Sequence, residues 1–294
     1  MKLNLNYYSG KDQYSDGLIE NDLLKIVKNE TDFDKVLSQD NRWPILYHLS
    51  SIRNNIINWY PFSKNETLLE IGGGCGALTG LFCQKLQSVK VIELSKLRSQ
   101  INLERNRQYQ NFEILVGNLN DMEITEKFDY ITLIGVLEYA GNFTKGKDPY
   151  LEFLKNIKHY LKPTGKLIIA IENKFGLKYF AGAKEDHTGI EFDGITGYKH
   201  TSKVKTFGKV ELENLLTSSG YSKQDFFYPH PDYKLPLEIY SSNYLPSEHS
   251  NLAVSPNFDS SRYHLFDETS AYKEIIKNSQ YEFFANSFLV ICEE

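Results

Sequence analysis

The stretch Leu68-Leu69-Glu70-Ile71-Gly72-Gly73-Gly74-Cys75-Gly76-Ala77-Leu78 decides the fold. It predicts a short buried strand that ends beside an acidic residue, then a glycine turn, and then a helix that begins near Gly76. Glycine accepts backbone angles that a side chain forbids, and it allows a ligand to lie directly against the main chain. A strand, a glycine turn and a helix N-terminus together predict a nucleotide-like ligand at the carboxyl end of a parallel sheet.

The composition limits the classes of function. A net charge of −5 argues against binding to bulk nucleic acid, which usually leaves a basic surface. The three cysteines, Cys75, Cys83 and Cys292, are too few and too scattered for a disulfide framework or a zinc site, and no metal is expected. The longest apolar runs have the length of strands, far short of a membrane span, and no signal peptide is recognisable. We therefore expect a cytoplasmic protein without a membrane span.

The periodicity predicts strands that alternate with helices, and hence a doubly wound parallel sheet. The predicted strands are residues 67–71, 89–94, 112–116, 129–136, 167–171, 222–228 and 283–292. Residues 1–62 are expected to form an N-terminal helical extension, including one amphipathic helix from about residue 45 to residue 59. Residues 63–294 would form the main domain. Two long insertions, at about 173–208 and 229–280, would form a cap that makes the acceptor site, because such long irregular excursions usually serve binding.

The glycine turn alone leaves two classes of cofactor open. Gly72-x-Gly74-x-x-Ala77 also satisfies the relaxed dinucleotide fingerprint, so an NAD-dependent oxidoreductase is an alternative. Glu93, about twenty residues later, suits either class because a carboxylate there accepts hydrogen bonds from ribose hydroxyls. Glu70 argues against the NAD-dependent class, since dehydrogenases usually have an apolar residue immediately before the first glycines.

A series of short stretches resembles the class I S-adenosylmethionine-dependent methyltransferases. The stretches are Glu70-Ile71-Gly72-Gly73-Gly74-Cys75-Gly76, Val91-Ile92-Glu93-Leu94, Gly117-Asn118-Leu119, Phe128-Asp129-Tyr130-Ile131, Gly135-Val136-Leu137-Glu138-Tyr139 and Leu161-Lys162-Pro163-Thr164-Gly165-Lys166-Leu167. The resemblance covers about 67–228 and the final strand. It implies a Rossmann-like α/β fold: a seven-stranded mixed sheet with helices on both faces, whose last strand is antiparallel and lies between strands five and six.

The same resemblance implies the cofactor, S-adenosylmethionine, the product, S-adenosylhomocysteine, and the residues that would hold them. The glycine backbone would lie against the methionine part and the ribose, and Glu93 would accept from both ribose hydroxyls. Glu70 would shape the pocket. The full set of implied cofactor-binding residues is Glu70, Gly72, Gly73, Gly74, Gly76, Glu93, Leu94, Asn118, Leu119, Gly135 and Val136, with Asn118 and Leu119 flanking the adenine and Gly135 and Val136 lining the methionyl side.

Two further stretches, Ile171–Phe180 and Pro229–Pro236, resemble bacterial methyltransferases that sit near glycosyltransferase systems of surface polysaccharides. This second resemblance implies a context, polysaccharide biosynthesis, and does not identify the substrate. The acceptor that we expect is a hydroxyl of a small molecule or glycan. The expected partners are a glycosyltransferase or a second copy of the chain. An amine or carboxylate of a peptide or natural product is the alternative acceptor, and a non-catalytic scaffold that binds the cofactor is an alternative of another class.

Methyl transfer requires the acceptor, the methyl carbon and the sulfur in one line, and a hydroxyl acceptor also requires a base. The candidate bases are Glu138, His187 and His230. Histidine suits this role because its ordinary pKa lies near neutrality. For His187, a loop histidine bonded to the backbone is the alternative interpretation. For Glu138, stabilisation of the cofactor pocket is the alternative.

Residues of the two insertions are candidates for contact with the acceptor. They are Asn173, Lys174, Tyr179 and Tyr233. Lys174 would hold an anionic group, and the tyrosine rings would stack against a sugar. A solvated lysine and tyrosines that only pack the cap are the alternatives.

Overall fold

The computed structural model describes residues 2–199, 203–256 and 261–294. The strands, in chain order, are β1 (Lys2–Asn4), β2 (Thr67–Ile71), β3 (Ser88–Glu93), β4 (Phe112–Val116), β5 (Phe128–Ile134), β6 (Leu161–Glu172), β7 (Lys223–His230), β8 (Glu238–Ser241) and β9 (Ser287–Glu293). The helices are α1 (Ile19–Asn29), α2 (Phe33–Leu37), α3 (Trp43–Leu49), α4 (Thr79–Lys85), α5 (Lys96–Arg105), α6 (Ala140–Phe143), α7 (Pro149–Lys158), α8 (Leu177–Phe180), α9 (Lys209–Ser218), α10 (Glu268–Lys277) and α11 (Tyr281–Phe284).

Within the described ranges, the strands form a nine-stranded sheet in the order β1-β4-β3-β2-β5-β6-β9-β7-β8. Strand β2 pairs in parallel with β3 and β5, whereas β7 pairs antiparallel with both β8 and β9. The last strand therefore lies between the predicted fifth and sixth strands, which confirms the Rossmann-like methyltransferase fold with a mixed sheet. The predicted count of seven strands is wrong, because the short strands β1 and β8 extend the sheet at its two edges.

The chain divides into two compact units. Unit 1 comprises the described residues of Met1–Leu133 together with Tyr160–Leu167, and unit 2 comprises those of Ile134–His159 and Ile168–Glu294. The two units do not divide the chain between residues 62 and 63, where we expected the border between the N-terminal extension and the main domain. The separation of an N-terminal extension from a main domain stays a prediction.

Unit 1 has a core of buried strands and of helices that pack beside them. The apolar side chains of β2 are buried, as expected for a strand with neighbours on both sides. Helix α1 buries Leu23 and Val27, which are four residues apart and therefore share one helical face. They form a cluster with Ile45, Leu49 and Ile101.

Two predicted element boundaries in unit 1 are wrong. The single helix expected over residues 45–59 is interrupted at Ser50, whose backbone is extended and whose hydroxyl accepts a hydrogen bond from the Ile52 N–H at 3.3 Å. A serine that caps the next turn competes with continuation of the helix, so α3 is followed by a separate 3₁₀ turn over Ser51–Ile56. Strand β6 already begins at Leu161, and it accommodates Pro163 near its N-terminal end, where Pro163 and Thr164 are exposed.

Unit 2 is built on β7 and β9, and nearly every residue of β9 is buried. The insertion at 173–208 contains α8, and the insertion at 229–280 contains β8 and α10. Residues 200–202 and 257–260 of these insertions lie outside the described residues. In the part of the chain that the structure describes, every helix is too short or too polar to cross a membrane.

Candidate functional site

The glycine turn after β2 is held by backbone hydrogen bonds to β3. The N–H groups of Gly72 and Gly73 both donate to the carbonyl of Ile92, at 2.8 and 3.2 Å. Gly72, Gly74 and Gly76 have φ values of 73°, 51° and 76°. The helix predicted to begin near Gly76 begins at Thr79 instead, because a left-handed residue cannot continue a right-handed helix.

Close packing explains two of the glycines. A Cβ on Gly73 would lie 2.3 Å from Cγ1 of Val91, and a Cβ on Gly76 would lie 2.4 Å from Oδ1 of Asn102. The turn therefore lies directly against β3 and α5, and a side chain at either position would force these elements apart. The main chain of the turn is positioned by its neighbours rather than by its own side chains.

Glu93 ends β3 beside this turn. Its side chain is buried, with 5 % of the residue exposed. Oε2 accepts a hydrogen bond from the Gly74 N–H at 2.8 Å, and Oε1 accepts one from the Ser95 N–H at 2.9 Å. Burial raises the pKa of this carboxyl, while Arg98 and the two N–H groups oppose the rise. Each carboxylate oxygen has more than one acceptor position, so a ligand hydroxyl can share it with the backbone donor.

Glu70, the last residue but one of β2, lies beneath the turn and is also 5 % exposed. Its Oε2 accepts a hydrogen bond from the Thr79 hydroxyl at 2.6 Å, and that hydroxyl accepts one from Nδ2 of Asn102 at 2.9 Å. Burial, joined by the charge of Glu93, raises the pKa of Glu70 to about 8 although the Thr79 hydrogen bond lowers it. Glu70 is therefore mainly protonated at neutral pH.

The remaining cofactor-binding candidates of unit 1 follow β3 and β4. Leu94 and Asn118 are half-buried, and Leu119 is buried. Oδ1 of Asn118 accepts from the Asn120 N–H at 3.0 Å. Beside them, a Cβ on Gly117 would lie 2.4 Å from the carbonyl oxygen of Tyr7, so the N-terminal segment lies against the end of β4. The sequence showed no pattern that places this segment.

Acidic residues of the N-terminal segment also hold the start of α5, and sequence reasoning missed them. The carboxylate of Asp12 accepts from the Lys96 N–H at 2.7 Å and from the Ser95 hydroxyl at 3.0 Å. The guanidinium of Arg98 forms ion pairs with Asp16 and with the buried Glu20, the latter at 2.7 Å. These contacts tie the segment to the helix that follows Glu93.

In unit 2, Gly135 and Val136 follow β5 directly along the chain. The N–H of Gly135 donates to the carbonyl of Ala170 at 2.9 Å, and its φ is 69°. A Cβ at this position would lie 2.8 Å from the hydroxyl of Tyr233. Only glycine fits this close approach without strain. Val136 is half-buried.

Glu138, Glu172 and His187 form a cluster in unit 2. One donor atom of each lies within 4.8 Å of the others. Nε2 of His187 lies 3.4 Å from Oε2 of Glu172, and Nδ1 lies 3.2 Å from the hydroxyl of Tyr139. Oε2 of Glu138 is buried without a hydrogen-bond partner among the described residues. The structure thus brings together two of the three predicted catalytic residues.

Sequence reasoning gave no role to Glu172. The signal was present, since Glu172 is the polar end of a run of buried aliphatic residues in β6. Its carboxylate also accepts a hydrogen bond from the Tyr233 hydroxyl at 3.3 Å, which brings one predicted acceptor-binding residue to the cluster.

The charges of Glu138, Glu172 and His187 strongly affect one another's pKa values. Burial and the neighbouring Glu172 raise the pKa of Glu138 to about 8. Burial alone would raise the pKa of Glu172, but Lys234 and His187 hold it far below the ordinary value. Burial would lower the pKa of His187, but Glu172 and then Glu138 raise it to about 9. The His187–Glu172 pair is therefore mainly imidazolium and carboxylate at neutral pH.

Two lysines that sequence reasoning did not single out complete the surroundings. Nζ of Lys234 lies 2.6 Å from Oε1 of Glu172 and 2.7 Å from Oδ1 of Asp186. Nζ of Lys178 lies 2.9 Å from Asp186 and 2.8 Å from Asp232. Lys178 follows Glu172 by six residues, but Lys234 lies more than sixty residues away, so no local pattern could have indicated the grouping.

His230 has other surroundings. Its Nε2 lies 2.6 Å from the carbonyl oxygen of Ala253, and its Nδ1 lies 3.4 Å from the hydroxyl of Tyr281. Burial lowers its pKa, although the bond to Ala253 and nearby carboxylates oppose this. Both ring nitrogens therefore contact the protein. A catalytic role for His230 stays a prediction.

The other acceptor-binding candidates are also engaged with the protein. Nδ2 of Asn173 donates to the carbonyls of Phe283 and Ala285, at 2.7 and 2.8 Å, so this side chain fastens the turn before β9. Nζ of Lys174 lies 2.7 Å from Oε1 of Glu211. The hydroxyl of the buried Tyr179 donates a hydrogen bond to the carboxylate of Asp186.

Comparison with known proteins gives partial matches. Ribosomal RNA small subunit methyltransferase A from Ureaplasma urealyticum serovar 10 is 32% identical over 100 residues, which are 31% of this chain and 35% of that protein. The protein of the same name from Clostridium botulinum (strain Okra / Type B1) is 33% identical over 92 residues, or 30% of this chain and 34% of that protein. The chain thus spans about a third of the length of these relatives.

Among solved structures, Haemonchus contortus phosphoethanolamine N-methyltransferase 1, in complex with phosphoethanolamine and S-adenosylhomocysteine, aligns with a TM-score of 0.48 at 13% identity. The alignment covers 93% of this chain and 48% of that one. A family model identifies the segment that carries the glycine turn, Glu93 and Glu138: residues 69–167 match the methyltransferase domain.

Proposed function

We propose that this protein is an S-adenosylmethionine-dependent methyltransferase. The observation that carries the proposal is the buried Glu93 carboxylate, which accepts from the Gly74 N–H at 2.8 Å beside the glycine turn. A ligand with a ribose that lies on this turn meets an acceptor for its two hydroxyls and a bare main chain for its remaining atoms. The match of residues 69–167 to the methyltransferase domain supports the choice of S-adenosylmethionine over NAD.

The proposed cofactor contacts follow from this placement. Gly72, Gly73, Gly74 and Gly76 offer their backbone, and the mainly protonated Glu70 supports the turn from beneath without adding a negative charge. Leu94, Asn118 and Leu119 would surround the adenine. Gly135 and Val136 would lie on the methionyl side.

We assign the acceptor chemistry to the cluster of Glu138, Glu172 and His187. A lone pair of the acceptor hydroxyl attacks the methyl carbon, the bond from carbon to sulfur breaks, and its electron pair goes to sulfur to give S-adenosylhomocysteine. The hydroxyl proton passes to Glu138 when its carboxyl is ionised, because the pKa of this group is about 8. His187 is already mainly protonated, and the pKa of Glu172 lies far below neutrality, so these two residues position Glu138 and the acceptor.

A hydroxyl of a small molecule or glycan is the acceptor that this chemistry favours, with Lys174, Asn173, Tyr179 and Tyr233 as the predicted contacts. The named relatives are ribosomal RNA methyltransferases, so RNA belongs in the test. The net charge of −5 disfavours it, because RNA binding depends on basic surfaces that neutralise phosphates.

The test measures cofactor binding and methyl transfer separately. Isothermal titration with S-adenosylhomocysteine and with NAD identifies the cofactor, and tritiated S-adenosylmethionine with panels of glycans, small molecules, peptides and RNA identifies the acceptor. We expect binding of S-adenosylhomocysteine and labelling of a hydroxyl compound. Glu138→Gln should abolish labelling and leave cofactor binding within twofold of the wild type. Binding of NAD without S-adenosylhomocysteine would instead establish the oxidoreductase alternative.

The same panels address the other expectations. Labelling of an amine or carboxylate would favour the second acceptor class, and cofactor binding without any labelling would favour the scaffold. The association with bacterial polysaccharide synthesis, a glycosyltransferase partner or homodimer, and the cytoplasmic location stay predictions.

A further inference from the structure

We propose that Glu138, Glu172 and His187 form a binding site for one divalent transition-metal ion. The binding site itself is inferred from the geometry of unit 2. The use of the ion in methyl transfer, given below, rests on the proposed function.

The distances fit a single ion. Ligand atoms that lie about 2.1 Å from one ion are separated by about 3.0–3.4 Å when adjacent and about 4.2 Å when opposite. Nε2 of His187 and Oε2 of Glu172 are 3.4 Å apart, and all three donor atoms lie within 4.8 Å of one another. Only small side-chain movements are needed to bring them into one coordination sphere.

An independent observation points to a ligand at this position. Glu138 is 1 % exposed, and its Oε2 has no hydrogen-bond partner among the described residues. A buried carboxylate oxygen without a partner is costly unless something compensates its lost hydration. The carboxylate lies within reach of the donor atoms of His187 and Glu172, so a cation bound there would supply the missing partner.

The groups around the three ligands orient them. Nδ1 of His187 lies 3.2 Å from the Tyr139 hydroxyl, to which it can donate its proton. Metal binding would then release the proton of Nε2, which becomes the metal-binding nitrogen. Oε1 of Glu172 is occupied by Lys234 and Tyr233, which leaves Oε2 facing His187. Outer hydrogen bonds of this kind fix the ring and the carboxylate in metal sites.

The local charge also favours a cation. Lys178 and Lys234 are held by Asp186, Asp232 and one oxygen of Glu172. When His187 is neutral and Glu138 is ionised, the four carboxylates of Glu138, Glu172, Asp186 and Asp232 outnumber these two lysines. A divalent ion at the three ligand atoms would offset the repulsion between the carboxylates of Glu138 and Glu172.

The donor set indicates the kind of ion. Two carboxylates and one imidazole suit a first-row transition ion such as Mn²⁺ or Zn²⁺ better than Ca²⁺, which takes six to eight oxygen ligands. Three protein ligands leave coordination positions for a substrate oxygen. In the proposed methyl transfer with the ion bound, Glu138 would be a ligand and not the base. An acceptor hydroxyl bound there would instead lose its proton to water more readily, because the ion would stabilise the resulting alkoxide.

The test is titration of the full-length protein with Mn²⁺, followed by electron paramagnetic resonance and calorimetry. We expect one Mn²⁺ per chain, and a modulation of the spin echo by one imidazole nitrogen. His187→Gln should remove the nitrogen signal, and Glu138→Gln should weaken Mn²⁺ binding at least tenfold. The matched control is Glu123→Gln, which changes an exposed glutamate of unit 1 and should leave binding unchanged.

The inference fails if the wild-type protein does not bind Mn²⁺ or if the nitrogen modulation is absent, and neither result depends on how the variants fold. It also fails if His187→Gln and Glu138→Gln, with circular dichroism like that of the wild type, bind Mn²⁺ as the control does. Titration of the same samples with S-adenosylhomocysteine separates the two proposals. Cofactor binding without Mn²⁺ binding refutes only the metal site, whereas Mn²⁺ binding without cofactor binding refutes only the proposed function.

Discussion

Replacing Glu70 by glutamine should change how the stability of the protein depends on pH. Burial raises the pKa of Glu70 to about 8, against an ordinary value of 4.5. Between these two pH values the folded protein keeps a proton that the unfolded chain releases, so the free energy of unfolding of the wild type falls as the pH rises. Each pH unit in this interval lowers the free energy of unfolding by about 1.4 kcal/mol. Over the whole interval of about 3.5 pH units, the ionisation of Glu70 therefore lowers the free energy of unfolding of the wild type by about 5 kcal/mol.

Glutamine has nearly the same shape, still accepts from the Thr79 hydroxyl and does not ionise. The variant should therefore resemble the wild type near pH 4.5 and become more stable than it as the pH rises to about 8, with no further change above that.

Urea unfolding of both proteins at several pH values between 4.5 and 9 measures this difference, and the titrating groups that do not interact with Glu70 cancel in the comparison. Glu123→Gln, at an exposed position, should follow the wild type throughout. A difference between Glu70→Gln and the wild type that stays constant with pH would refute the inference that Glu70 is buried in its protonated form.

Two further variants test the packing around the glycine turn by urea unfolding at neutral pH. Gly76→Ala should lower the free energy of unfolding by about 2–4 kcal/mol, since its φ is 76° and the new Cβ would lie 2.4 Å from Oδ1 of Asn102. Gly17→Ala, with a φ of 86° and open space around the new Cβ, should cost only about 1 kcal/mol, and equal losses would contradict the packing argument. Arg98→Met removes the cation that faces Asp16 and the buried Glu20 and should cost about 3–5 kcal/mol, whereas Arg42→Met, at an exposed ion pair, should leave the free energy of unfolding almost unchanged. Similar losses for the two arginine variants would show that the Arg98 network is not a buried one.

The order of the inner strands and the glycine turn could be predicted because both depend on local patterns. Buried strands appear as apolar runs, and Glu70 and Glu93 stand at strand ends in a recognisable spacing from the glycines. Strand β1 could not be predicted in this way, since Lys2–Asn4 is too short and too polar to show a period. Its place in the sheet comes from pairing with β4, more than a hundred residues away.

The cluster in unit 2 was predicted only in part, for the same physical reason. Glu138 and His187 were candidates because their residue types suit proton transfer, but their approach to Glu172 and Lys234 depends on how two long insertions fold. No short-range period encodes such contacts. The predicted helix over residues 45–59 failed for another reason. The apolar period continues on both sides of Ser50, but the Ser50 hydroxyl caps the next turn and so ends the helix.

The central claim, that S-adenosylmethionine binds at the glycine turn with Glu93 as the ribose acceptor, is tested most directly by calorimetric titration of S-adenosylhomocysteine into the wild type and Glu93→Ala. The variant loses two hydrogen bonds from the ribose to a charged group, which together contribute about 3 kcal/mol or more. We therefore predict that the wild type binds and that the Kd of Glu93→Ala is raised by about a hundredfold or more. An unchanged Kd in a variant that unfolds like the wild type would contradict the claim.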